Sequence, residues 1–331
     1  MRRAGFLVVF AALLAGCGRY QDFFLPQQPG GPGTVWRWEA RADPVLTRGA
    51  AGEWDSVDVL NPSVIRQGEA YYNLYSGFDG KTWHTGLAVS ADGITWRKEG
   101  KLISPDPQTW EGSYIAANGS AIADESGILY YYVAGEPPRI GLARSSNGHQ
   151  WRRNGQPVLP LGPVGSFDER AVADPYVIRA NGNYFMFYLG QDRARRQRLG
   201  VARSADGVVW YKLRRNPILE LGEGDAFDAN GLGEPAVWAS RGYYWMLYTG
   251  RDRNEMRRIG MARSRNGVDW EKLPQVFAGD QAWNSKVVCD PTVLIENGSV
   301  RVWFGGGDVA RPDHGIHGQI GYAMLTPVST N

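Results

Sequence analysis

An aromatic residue followed by a polar or acidic one recurs as Trp54-Asp55, Trp110-Glu111, Phe167-Asp168, Phe227-Asp228 and Trp283-Asn284, at intervals of 56, 57, 60 and 56 residues. Self-similarity at a near-constant period limits a chain to repeat architectures, because each unit buries its apolar face only against its neighbours. Seven residues after each aromatic stand Asn61, Ala117, Asp174, Glu234 and Asp290. Four of these precede proline and open the apolar runs PSVI, PYVI, PAVW and PTVL. A second run follows after a turn (YYNLYSG, YYYVAG, YFMFYLG, YYWMLYTG, VRVWFGG), then a third (TGLAVS, IGLARS, LGVARS, IGMARS, IGYAML). A fourth centres on Trp96, Trp151, Trp210 and Trp270, each behind a turn such as SADG or SRNG.

Short runs rich in β-branched and aromatic residues, bounded by Gly and Asn, predict strands. Four strands in each of five units predict an all-β fold: a five-bladed β-propeller with four-stranded blades over residues 34–331. The 43 glycines, 13 tryptophans and 16 tyrosines suit many short strands joined by tight turns. The last unit supplies three strands, and the missing one stands at the start. Thr34-Val35-Trp36-Arg37 with Pro44-Val45-Leu46 matches the pattern around Trp151 and Pro157-Val158-Leu159. An N-terminal strand completing the last blade closes the ring and leaves no open sheet edge.

Ahead of this domain, Arg2 and Arg3 precede an apolar run, Phe6 to Leu14, too short to span a bilayer. Leu14-Ala15-Gly16-Cys17 resembles the bacterial lipobox. The resemblance implies a signal peptide over 1–16 and a lipidated Cys17 as the mature N-terminus. The lipid would hold the protein on a membrane of the bacterial cell envelope, the outer membrane in a Gram-negative host, without a spanning helix. Residues 17–33, with Pro26, Pro29 and Pro32 among Gly30, Gly31 and Gly33, read as a flexible tether. Removing Arg2 and Arg3 takes the formal charge of +2 to about zero, so a nucleic-acid partner, which needs a basic face, is not expected. With Cys17 lipidated, Cys289 is the remaining thiol; a disulfide within the chain and a zinc site built on cysteines are excluded.

In a propeller the first strand of each blade lies nearest the axis, which brings the five positions after the aromatics around one central pocket. Confined acids repel one another and are costly to desolvate, so Asp174, Glu234 and Asp290 point to chemistry. The alternative is that Asp-Pro and Glu-Pro merely start strands. From Trp36 to Leu325 the chain resembles the five-bladed glycoside hydrolases of families 43 and 32, which implies a carbohydrate substrate. Ala173-Asp174-Pro175 matches their blade-three motif, whose Asp orients substrate or tunes the acid. Gly233-Glu234-Pro235 matches the blade-four general acid, which has to stay protonated near neutral pH. Their blade-one Asp, the base or nucleophile, is replaced by Asn61 in Leu60-Asn61-Pro62-Ser63. An amide neither accepts a proton usefully nor attacks an anomeric carbon. Asp58, three residues earlier, and Asp290 are the candidate substitutes. The Asn-Pro opening also resembles the mannoside phosphorylases of family 130, in which phosphate is the nucleophile and no protein base is required.

A phosphate would need cations. Arg139, Arg198 and Arg258 stand two residues before the glycine of the third strand, with His84 and Gln319 at the same place in blades one and five. Arginine's planar fork suits phosphate or an acidic sugar; the alternative is a solvated charged loop pairing with Asp192 and Asp252. Asn61 and these cationic residues are therefore candidate substrate-binding groups. Trp83 and Tyr114, aromatics outside the repeat, are candidate sugar platforms. No cofactor is required and no metal ligands are assigned. The family 43 resemblance nonetheless admits a central Ca2+ or other ion attended by a fifth-blade histidine, His314 or His317. Three functions follow: a glycoside hydrolase acting on oligosaccharides or polysaccharide side chains, a glycoside phosphorylase, and a non-catalytic sugar-binding surface lipoprotein.

Overall fold

The computed structural model describes residues 19–124 and 127–329; the signal segment and Cys17 lie outside the described residues. The apolar runs are strands, and the helical content among the described residues is one 3-10 turn, Ala282–Asn284. Two strands come first, β1 (Tyr20–Gln21) and β2 (Thr34–Ala40). An antiparallel meander follows: β3 (Asp58–Gln67), β4 (Ala70–Phe78), β5 (Trp83–Ser90) and β6 (Arg97–Ile103). The next contains β7 (Ile115–Asp124), β8 (Gly127–Ala134), β9 (Arg139–Ser145) and β10 (Arg152–Arg153). Then come β11 (Ala171–Ala180), β12 (Asn183–Gln191), β13 (Gln197–Ser204) and β14 (Tyr211–Leu213). These precede β15 (Gly231–Ser240), β16 (Tyr243–Arg251), β17 (Arg257–Ser264) and β18 (Trp270–Phe277). The last meander holds β19 (Val287–Glu296), β20 (Ser299–Gly307) and β21 (Gln319–Ser329). Beside it, β2 pairs antiparallel along β21, from Thr34 with Ser329 to Ala40 with Ala323. The first strands are mutual neighbours: β3 touches β7, β7 touches β11, β11 touches β15, β15 touches β19, and β19 touches β3. The fold is all-β and propeller-like.

The aromatic–acid repeat has a structural cause. The Trp54 ring lies where a side chain on Gly77 or Gly86 would sit, Phe167 covers Gly190 and Gly200, and Phe227 covers Gly250 and Gly260. A glycine pair on the second and third strands thus seats each ring. The following acid is buried and clamps the meander. Asp168 accepts from the Tyr188 hydroxyl at 3.0 Å and from Lys212 Nζ at 2.5 Å. Asp228 does the same with Tyr248 and Lys272, Asp55 with Tyr75 and Lys98, and Glu111 with Tyr132 and Arg153. Removing the cation would leave a buried acid uncompensated, an arrangement shared by the first four units; the fifth carries the neutral Asn284 in that place. The SADG-like turns are self-contained: Asp92 Oδ1 accepts from Ile94 and Thr95 N–H at 2.7 Å, and Asp206 repeats the pattern.

Residues 19–33 correct the expectation of a flexible tether. Tyr20 and Gln21 extend the β11–β14 sheet, pairing parallel with Lys212 and Leu213. Phe23 and Leu25 are 7% and 2% exposed, packed among Phe185, Phe187, Val237 and Tyr244. Beyond them the Pro26 carbonyl accepts from Tyr244, and Gly30 N–H donates to Gly242. Proline and glycine here shape an extended segment that lies in a groove, and the apolar Phe23 and Leu25 hold it there.

Candidate functional site

Each first strand breaks register near its start: between Leu60 and Ser63, Ala117 and Ser120, Ala173 and Tyr176, Gly233 and Ala236, and Cys289 and Thr292. Within each break one residue adopts a left-handed backbone: Asn61 (φ 47°), Asn118 (50°), Asp174 (46°), Glu234 (44°) and Asp290 (51°). Such a bulge re-aims a side chain. A left-handed non-glycine residue is costly, more so before proline, and persists where the surroundings over-determine it. The five residues line one small axial hollow together. The spacing rule named Ala117 for the second unit; the structure puts Asn118 there, because the loop after Trp110 is one residue longer. Asn118-Gly119 was the overlooked signal, with glycine in place of the proline of the other four units.

Above this ring opens a cavity of about 340 Å3. Asn61, Asn118, Asp174, Glu234 and Asp290 contribute to its lining, with Trp83, Tyr114, Gln197, Arg251, Arg257 and Asp313 around them. Asp290 is held in place by hydrogen bonds. Asp290 Oδ2 accepts the Asn61 backbone N–H at 3.2 Å, and the Asp290 N–H donates to Thr249 Oγ1 at 3.1 Å. Asn118 is fixed by Ser76, whose Oγ accepts from the Asn118 N–H at 2.9 Å. Glu234 Oε2 is buried and has no hydrogen-bond partner among the described residues. Burial and the Glu234 charge raise the Asp290 carboxyl to about 7. Asp174 is pushed well above the ordinary carboxylate range by burial, Glu234 and Asp290. Burial opposes the charge on Arg257, while Cys289, Glu234 and Asp290 favour it, and the net shift is upward. Its Nη2 donates to the carbonyls of Arg311 and Pro312.

Asp58 is corrected as a candidate base. It is fully buried, with Oδ1 accepting the Gly318 N–H at 2.7 Å and Oδ2 the Gly315 N–H at 2.5 Å. It does not line the cavity. Its carboxylate ties the 315–318 loop to β3.

His84, Arg139, Arg198 and Arg258 are also absent from the cavity wall. Successive residues on a strand face opposite sides, so a one-residue shift exchanges the two sets. The wall is made by the residues immediately before three of them: Trp83, Gln197 and Arg257. Three of the expected cations lie over repeat aromatics instead: His84 against Trp54, Arg139 over Trp110 and Arg198 over Phe167. Arg198 also pairs with Asp192 and Glu220, and Arg258 with Asp252. In the loops, Arg193 pairs with Glu169, Arg196 with Asp192 and Arg253 with Asp225. The ion-paired alternative describes Arg193, Arg196, Arg198, Arg253 and Arg258.

Trp83 and Tyr114 do reach the cavity. Trp83 is nearly fully buried and stacks on Phe78 at 4.8 Å, whose other neighbour is His314 at 4.9 Å. Tyr114 is 46% exposed, its hydroxyl 3.5 Å from His314 Nδ1. His317 pairs with Asp308 at 2.8 Å outside the cavity. Among the described residues no three side chains of His, Cys, Asp or Glu are gathered as ligands for one ion, so the central ion admitted above has no protein cage of that kind.

Residues 69–220 match the family model of the glycosyl hydrolases family 32 N-terminal domain. In fold, and over that stretch in sequence, the chain resembles the propeller glycoside hydrolase superfamily. Among solved structures it is similar to a member of the family 130 group of mannoside phosphorylases, which contains glycoside hydrolases that target β-1,2 mannosidic linkages in Candida mannan. That match has a TM-score of 0.69 at 17% identity and covers 92% of this chain and 96% of that one. In sequence the chain is 28% identical over 232 residues to an uncharacterized protein of Mycobacterium tuberculosis, covering 64% of this chain and 75% of the relative. It is 31% identical over 130 residues to a 1,2-β-oligomannan phosphorylase of Thermoanaerobacter sp. strain X514, covering 37% of this chain and 43% of that protein.

Proposed function

We propose that the chain cleaves glycosidic bonds of oligosaccharides or polysaccharide side chains in the cavity above the ring. The observation that carries this reading is the convergence of Asp174, Glu234 and Asp290 at strained bulge positions on one cavity floor. Glu234 protonates the departing oxygen. Asp290, its carboxylate oriented by the Asn61 N–H, is the base that takes a proton from the attacking water. Asp174, raised by the same neighbours, donates a hydrogen bond to a sugar oxygen. Tyr114 supplies the stacking face. The architecture in this reading is a ring of five four-stranded blades, supported by the cycle of first-strand contacts and by β2 beside β21.

Phosphate as the acceptor is the second reading. It is favoured by Arg251 and Arg257 in the cavity wall and by the partial similarity to an oligomannan phosphorylase. One assay separates the readings: an oligosaccharide panel incubated with and without phosphate, products weighed by mass spectrometry. Free sugar in both conditions supports hydrolysis, and sugar phosphate formed only with phosphate supports phosphorolysis. No product from any substrate favours a binding protein.

We also propose that Cys17 is acylated and anchors the protein at the cell envelope. Leu14-Ala15-Gly16-Cys17 behind the apolar run supports this. The mass of the mature N-terminal peptide tests it.

A further inference from the structure

The first strands continue for six residues past the ring, and their far halves line a second hollow of about 360 Å3 at the end opposite the cavity. Its wall is mostly apolar, Ile65, Ile122, Trp238 and Ile295 among its members, with Arg66, Ser120 and Thr292 as polar ones. Ile295 is 48% exposed. The N-terminal segment lies at this same end. Leu25 N–H donates to the Asn266 carbonyl and Gln28 N–H to Arg265, both in the turn between β17 and β18. Gly30 N–H donates to Gly242, in the turn that follows the far end of β15. Phe24, 56% exposed, lies under the Arg215 guanidinium at 5.3 Å. Tyr20 pairs with Lys212, just past the β13–β14 turn, which is at this end too.

We propose that this hollow-bearing end is a bilayer-facing surface, and that the catalytic cavity therefore opens away from the membrane. The inference rests on acylation of Cys17. A loose segment over 19–33 would let the cavity face any direction; the docked one removes that freedom. Cys17 stands three residues before Tyr20, so the two Cα atoms lie within about 11 Å. A lipid leaving from that edge brings the exposed Phe24 and Ile295 to the headgroup region, where apolar side chains are more stable than in water. The bilayer is the one occupant that the anchor position selects for this face.

The test uses the full chain, produced in a lipoprotein-processing host and reconstituted in phosphatidylcholine–phosphatidylglycerol vesicles carrying a doxyl-lipid quencher. A fluorophore is attached at Ile295→Cys or, on a cavity-side loop, at Val164→Cys, where the native side chain is 87% exposed. The buried Cys289 stays unlabelled in the folded protein, which the unsubstituted chain verifies. Several-fold stronger quenching at 295 than at 164 is expected. Equal quenching or the reverse order overturns the orientation while leaving the anchor standing. An N-terminal peptide without acyl mass overturns the anchor and the orientation together, and neither result touches the chemistry proposed for the cavity.

Discussion

The Asn61 backbone N–H, in the first meander, donates to Asp290 Oδ2, in the last, at 3.2 Å across 229 residues of sequence. The residue that lacks a carboxylate therefore orients one supplied by its neighbour. In the proposed chemistry the base has moved from the first unit to the fifth, and Asn61 positions it.

Burial and neighbouring charge give Asp290 and Asp174 a pH signature. Each carboxyl binds its proton more tightly in the fold than in the unfolded chain. The stabilisation is fully present below about pH 4 and lost as pH rises through the raised folded value, about 7 for Asp290. Over that window these two carboxyls pull the melting temperature of the wild type down with rising pH, against the upward pull of lowered carboxyls such as Asp92 and Glu296, and Asp290→Asn makes the slope more positive. The same slope in both proteins would sink the assignment of a raised Asp290.

Asp58→Asn tests whether this residue is structural. The amide keeps one neutral acceptor for Gly315 or Gly318 and sets its NH2 against the other backbone N–H, at a cost of about 2 kcal/mol. Chemical denaturation reads that loss. The folded fraction keeps its KM, because Asp58 faces a loop tie and not the cavity; a large KM change would show otherwise.

Leu25→Ala tests the docked N-terminal segment. Leu25 is 2% exposed among side chains of two meanders, so truncation costs about 2–4 kcal/mol. A change within about 0.5 kcal/mol, as expected for a surface position, would mean that the segment is not seated there.

The strand order and most of the ring were legible in the sequence because both follow from the repeat. An aromatic seated on a glycine pair, a buried acid and an X-Pro bulge recur together, as in Phe167, Asp168, Gly190 and Asp174. What escaped had a local cause. Asn118 was hidden by one extra loop residue. Arg257 and Gln197 were hidden by strand alternation, which the loop pattern around Arg258 and Arg198 could not register. Asp58 looked available because a buried carboxylate capping two backbone amides leaves no trace in its own segment; its partners are Gly315 and Gly318. The seating of Phe23 and Leu25 depends on a groove between meanders far along the chain.

The sharpest measurement compares product formation by wild type, Glu234→Gln, Asp290→Asn and Asp58→Asn on a substrate that the wild type turns over. The expected result is a fall in kcat/KM of about a thousandfold for Glu234→Gln and Asp290→Asn, with Asp58→Asn close to wild type. Full turnover by either ring variant, or loss confined to Asp58→Asn, would contradict a reaction centred on the ring carboxylates.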